Sequence, residues 1–176
     1  MKPIKFLTAA AAMTLSAACA TAAEPMNDLE IAHTAYTAGQ LDIRYAHLAL
    51  AISENESVRN FARTMIQDHT AVNQAAGNLI TELNVTPQDN PLSQALVKGA
   101  AAKRDELAGL RGKAFDCAYA KNELGYHQVV NKTVAEDFIP NVTVEPLKEL
   151  LSEALVTFKV HEGHAGHMVA GLNCPS

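Results

Sequence analysis

VRNFARTMIQDHTAVNQAAGNLITEL, residues 58–83, is the stretch whose reading decides the fold. Val58, Ala62, Met65, Val72, Ala76, Leu79 and Leu83 recur at three- and four-residue steps, and His69 takes one place on that stripe. Such a pattern predicts an amphipathic helix over Glu56–Leu83 with one face in a core. Asp68 stands beside the histidine.

Upstream, Ala35, Ala38, Tyr45, Ala49 and Ile52 predict a helix from Asp28 to about Ser53, with Asp42 on the same stripe. The polar run Ser53–Ser57 is a short turn in which Asn55 or Ser57 can cap the next helix, so the two helices should be antiparallel neighbours. Downstream, Pro87, Asp89-Asn90 and Pro91 break the pattern. Leu92–Leu110 is a weaker Ala- and Lys-rich helix, read as a crossover between two helix pairs rather than a core helix.

A third main helix, about Lys113–Glu136, carries Phe115, Tyr119, Glu123, Tyr126, His127, Val130 and Val134. The Ile139-Pro140-Asn141 corner should stop it, because proline cannot continue a helix. A fourth, about Val144–Ala170, has the stripe Leu147, Leu151, Ala154, Phe158, His161, Ala165 and Met168. It ends in FKVHEGHAGHM, which holds His161, His164 and His167. With no alternating pattern to suggest strands, the expected fold is all-α: a ferritin-like four-helix bundle with a long, partly helical crossover between helices two and three.

The 176 residues, 48% hydrophobic and 19% charged, suit one domain. Lys2 and Lys5, an apolar run from Phe6 to Ala18 and small residues through Ala23 have the layout of a secretory signal peptide over residues 1–23, leaving 24–176 as the mature domain. Removing it leaves 12 basic and 19 acidic residues, a net charge of −7 that argues against nucleic acid as a partner. The apolar part is too short to span a membrane, and no transmembrane helix is expected in the mature chain. Cys19 is a competing lipid-anchor cysteine, less favoured because Ser16 stands where a larger aliphatic residue is expected. Cys117 and Cys174 then remain as an even pair, read as a disulfide of an exported protein.

The segments AGQLDIRYAHLAL, VRNFARTMIQDHTAVN, KAFDCAYAKNELGYHQVV, IPNVTVEPLKELL and FKVHEGHAGHM resemble, in order and spacing, a bacterial family of exported ferritin-like domains. That family was long described as predicted outer-membrane proteins of unknown function. The resemblance covers about Asp28 to Leu172 and rests most on Asp68-His69, on Phe115-Asp116 with Tyr119, and on Tyr126-His127 with Ile139-Pro140. It implies a helical bundle in the periplasm or outer envelope and supplies no activity. Asp42 stands where the family usually has a glutamate, and His167 is outside the family pattern.

Counting from the turns places Asp42, Asp68, His69, Glu123 and His127 in one layer of the bundle. Glu123 and His127, four apart, share a helix face, as do His161 and His164, three apart. A site of imidazoles and carboxylates suits iron, zinc or copper. The expected ligands are therefore His69, Glu123, His127 and His161, with Asp42, Asp68 and His164 as further candidates. The Glu-x-x-His pairs of di-iron carboxylate bundles are missing, which disfavours that oxidase chemistry. The expectation is an exported protein that buffers a transition metal or protects the envelope, more a binder than an enzyme. The alternative is a metal-free structural protein, with His69 bonded to Asp42 or Tyr45, Asp68 solvated, and Asp116 steadying the start of helix three.

Overall fold

The computed structural model describes residues 25–174, so the expected signal peptide and Cys19 lie outside the described residues. Among the described residues there is no strand, and five long helices make the fold: α1 (Asp28–Ile52), α2 (Glu56–Leu83), α3 (Pro91–Ala108), α4 (Gly112–Thr133) and α5 (Glu145–Gly171). None of them is long and apolar enough to cross a membrane.

The helix boundaries follow from their caps. Asn27 accepts from the N–H groups of Leu29 and Glu30, while the Glu30 carboxylate takes the Asn27 N–H at 3.0 Å, a reciprocal capping box. Asn55 caps α2 by accepting from the N–H groups of Ser57 and Val58, without a reciprocal partner in the helix, and Asn84 closes it in the left-handed conformation (φ 51°) that asparagine tolerates. Pro91 occupies the first turn of α3 behind the capping Asn90, as a residue without an N–H can.

Asn90 also fixes the direction of α3. Its amide donates to Thr34 Oγ1 at 2.9 Å and to the Glu30 carbonyl at 3.1 Å, pinning the start of α3 to the start of α1. Seven-residue spacing then buries Ser93, Ala100 and Leu107 along one narrow stripe against α1, which explains its weak amphipathic signal. This crossover helix does more than connect: Ala100 and Leu107 belong to the core. At its far end, Ser53 in the α1–α2 turn donates to Asp116 Oδ1. Asp116 thus steadies α4 from inside the helix, and the cap position is Arg111, with no side-chain cap bond. Placing the start of α4 beside the α1–α2 turn makes α4 parallel to α2.

The Ile139-Pro140-Asn141 corner ends the helix as expected, but its expected last residue near Glu136 is corrected to Asn141. The chain passes from α4 through a π-helical segment, Val134–Phe138, into a last helical turn, Ile139–Asn141, and Val142 N–H still reaches the Phe138 carbonyl at 3.0 Å. A regular helix would drive the Pro140 ring into the carbonyl four residues earlier, and the wider π turn just before it relieves that clash. Asp28 then ties this corner to α1, accepting from Thr143 N–H at 2.9 Å and Val144 N–H at 3.1 Å. The Val144 side chain cannot cap α5; Asp28 from another helix takes the Val144 N–H, and the Val144 carbonyl accepts from Leu147 and Lys148.

Residues of α1, α2, α4 and α5 enclose the interior, α1 beside α2 and α4, and α5 beside α2 and α4. One apolar cluster, around Tyr45, Phe61, Met65, Phe115 and Met168, sits at the end with the α1–α2 turn. A second, around Ile31, Val134, Phe138, Leu147 and Leu151, sits at the other end. Along α4 and α5 the buried polar residues fall between the two. Cys117 and Cys174 are at disulfide distance, with Cα atoms 5.5 Å apart, joining the start of α4 to the end of α5.

Candidate metal centre

Five ionisable side chains meet where α1, α2, α4 and α5 face one another: Asp42, His69, Glu123, His127 and His161, each no more than 3% exposed. A helix puts a side chain into the core wherever it falls on the apolar stripe, so these residues are buried by position and not by chemistry. Burial of unpaired polar atoms costs free energy, which makes their partners the question.

Two partners are clear. His127 Nδ1 donates to the Glu123 carbonyl at 2.9 Å, which fixes the tautomer and leaves the Nε2 lone pair free. His161 Nε2 bonds Asp68 Oδ2 at 2.9 Å, turning the other ring nitrogen, Nδ1, inward without a partner among the described residues. His69 lies flat on Phe158, with ring centroids 4.6 Å apart at an interplanar angle of 16°, and neither of its nitrogens has a hydrogen-bond partner among the described residues.

Asp42 faces two of these rings. Its Oδ2 is 3.5 Å from His69 Nε2 and 3.5 Å from His127 Nε2, beyond a good hydrogen bond in both cases. Both Asp42 oxygens, His69 Nε2 and His127 Nε2 are without hydrogen-bond partners among the described residues. Nitrogen atoms of His69, His127 and His161 all come within 4.8 Å of one another, as do donor atoms of Asp42, Glu123 and His127. The two groups share His127, whose Nε2 faces Asp42 while the Glu123 carboxylate lies 3.9 Å from its Nδ1.

The electrostatics are those of a dry box. Burial pushes the Asp42 carboxyl from 3.8 up to about 8, and burial, then the neighbouring Asp42, pushes Glu123 well above its ordinary value. Burial drives His127 down to about 4, and drives His69 well below 6.5 with help from His127 and His161. His161 is lowered by burial too, against the opposing pull of Asp68. The short contacts between Asp42 and the imidazoles are therefore contacts between neutral groups near pH 7.

A pH dependence follows for the metal-free protein. Asp42 in the folded chain keeps a proton that the unfolded chain has released, so stability falls as pH rises towards about 8. His127 works the other way: its folded value near 4 makes stability fall as pH drops below 6.5. Above about pH 7.2, where the unfolded imidazoles have released most of their protons, the neutral Asp42 outweighs them and stability falls by less than about 1.4 kcal/mol per pH unit, the slope easing as pH nears 8. Urea unfolding of chelator-treated protein at about pH 7.2, 7.6 and 8 is expected to show that decline; a rising profile contradicts it.

The structure brings His69, Glu123, His127, His161 and Asp42 together and does not bring in the remaining two candidates. Asp68 touches His161 from the outer side, its side chain 32% exposed. His164, three residues on from His161, points to solvent. Sequence reasoning missed Tyr119, whose buried hydroxyl has no partner among the described residues, as a neighbour of the carboxylates. It also missed Asn73, buried one turn after His69. Asn73 sits four residues beyond the histidine, a spacing that could have found it.

Against models of known families, residues 12–168 match the domain of unknown function DUF4142. No curated protein and no solved structure matches the chain.

Proposed function

We propose, for a chain that belongs to the DUF4142 family of domains of unknown function, that the layer between its helices holds one transition-metal ion. His69, His127 and His161 would supply neutral nitrogens and Asp42 a carboxylate, with Glu123 close enough to balance charge. One observation carries the reading: Asp42 Oδ2 stands 3.5 Å from two imidazole nitrogens, and all three atoms are buried without hydrogen-bond partners among the described residues. That separation is too long for a good hydrogen bond but close to the edge of a ligand tetrahedron, about 3.3–3.4 Å for bonds of about 2.0–2.1 Å. The Asp68–His161 bond adds a carboxylate behind a ligand imidazole, the usual means of fixing its orientation and raising its basicity.

Tetrahedral nitrogen and oxygen donors suit zinc first, then copper, while iron ordinarily takes more ligands. Four protein donors leave no open coordination position, which favours holding an ion over turning over a substrate. The role we infer is metal buffering or stress protection in the periplasm or outer envelope, after export on the leader read from residues 1–23. The parallel α2 and α4 joined by a long crossover support a ferritin-like four-helix bundle.

The reading of a metal-free structural protein draws on one contact, the stacking of His69 on Phe158, which a packed core also uses. Metal analysis of untagged protein, purified without chelator, separates the two. About one equivalent of metal, lost in His69→Ala/His127→Ala, is expected. An empty wild type that also gains no thermal stability from zinc, copper or iron would establish the structural reading.

A further inference from the structure

A cavity of about 160 Å³ opens beyond His69, between the second half of α2 and the facing parts of α1, α4 and α5. We infer that it binds a small, uncharged, apolar molecule carrying one hydrogen-bond acceptor, received by the amide of Asn73. His69 and His127 form the cavity's inner end, but the inference rests on the apolar walls and Asn73 and not on an ion.

Four observations point there. The apolar stripe of α2 continues through Val72, Ala76 and Leu79 to Leu83, yet these residues are half-buried or exposed and line the cavity, Leu79 also packing against the second apolar cluster. Across from them α1 presents Ala32, Ala35 and Gly39, residues too small to fill the gap. A space of this size with apolar walls stays dry and takes molecules of about the size of benzene, as engineered cavities of roughly 150 Å³ do. Its mouth is lined by the exposed apolar side chains Tyr36, Leu83, Val85 and Leu92, a route for such a molecule from water.

Asn73 gives the chemistry of the other end. Its side chain lines the cavity, is 6% exposed, and has an Nδ2 without a hydrogen-bond partner among the described residues. Gly39 makes room for it: a Cβ there would lie 2.7 Å from Asn73 Oδ1. A buried donor left unpaired is costly, and an oxygen acceptor on the ligand would relieve that cost. The apolar walls offer nothing to a full charge, so a carboxylate is excluded where a ketone or ester fits.

The test uses three probes of nearly equal shape on the mature chain: acetophenone, ethylbenzene and benzoate, titrated by protein NMR. Acetophenone is expected to bind saturably and about fivefold more tightly than ethylbenzene, the usual worth of one neutral hydrogen bond, with benzoate not binding. Asn73→Leu should erase the preference while ethylbenzene still binds. Ala76→Phe should fill the space and block both neutral probes, with Ala35→Leu as a second filling variant should the first not fold. No saturable binding of either neutral probe to the wild type overturns the inference, as does binding that survives in folded filling variants. Equal affinity for acetophenone and ethylbenzene overturns the role of Asn73.

Discussion

Asp42→Asn is expected to stabilise the metal-free protein above pH 7 and to cancel most of the stabilisation that zinc gives the wild type. The two signs come from one residue. Without metal, the buried carboxyl is held protonated up to about pH 8, and the isosteric amide imitates that neutral form without the cost of keeping a proton that the unfolded carboxyl releases. With metal, the same carboxyl must ionise to become a ligand, and an amide cannot. Zinc at about a thousandfold its dissociation constant adds about 4 kcal/mol to the wild type, a rise of roughly 10 °C in Tm for a chain of this size. Thermal melts of both proteins with chelator and with zinc at pH 7.5 measure all four states. Equal zinc shifts in the two proteins would remove Asp42 from the ligand set; no shift in either would remove the site.

The second large effect is covalent. Cys117 and Cys174 are separated by 57 positions, and cross-linking a loop of that length restricts the unfolded chain by about 4 kcal/mol in the chain-entropy model. Cys117→Ser/Cys174→Ser is therefore expected to lose about that much in urea unfolding, and the reduced wild type to match it. Because Cys117 lies in the first turns of α4 and His127 further along it, the double variant should keep its metal stoichiometry at low temperature. A loss below about 1 kcal/mol would show that the bond constrains little in solution.

The helices themselves were legible because their determinants are local. The period of α2 and its asparagine cap place Glu56–Leu83 with the bounds the structure has. The continuation past Glu136 through Pro140 and its π geometry were not legible: proline's usual effect is to end a helix, and only the packing of Val134 and Phe138 into the core shows why the chain widens its turn instead. Of the expected layer, Asp42, His69, Glu123 and His127 were readable, and His161 as a stripe histidine not counted into it, since a buried stripe position betrays itself by periodicity. The outer place of Asp68 and the solvent exposure of His164 were not, because neighbours one or three residues apart on a helix differ in direction by amounts that decide which of them faces inward. Asn73 escaped for a different reason: a lone amide on a helix face is ordinarily solvated, and its burial follows from Gly39 on another helix.

Among the polar side chains gathered between the helices, Asp68 is the one that reaches water, 32% exposed while the His161 it holds is 2% exposed. Asp42 and Glu123 are fully buried, while His69 and His127 are also walls of the apolar cavity. The seam between α2 and α5 is therefore the polar way into the layer, latched by a single hydrogen bond of 2.9 Å. A proton or ion crossing there needs a swing of that carboxylate and a turn of one ring, whereas the cavity on the other side presents it with apolar walls. Depth of burial would govern how tightly an ion is held there; the latch would govern how fast it comes and goes.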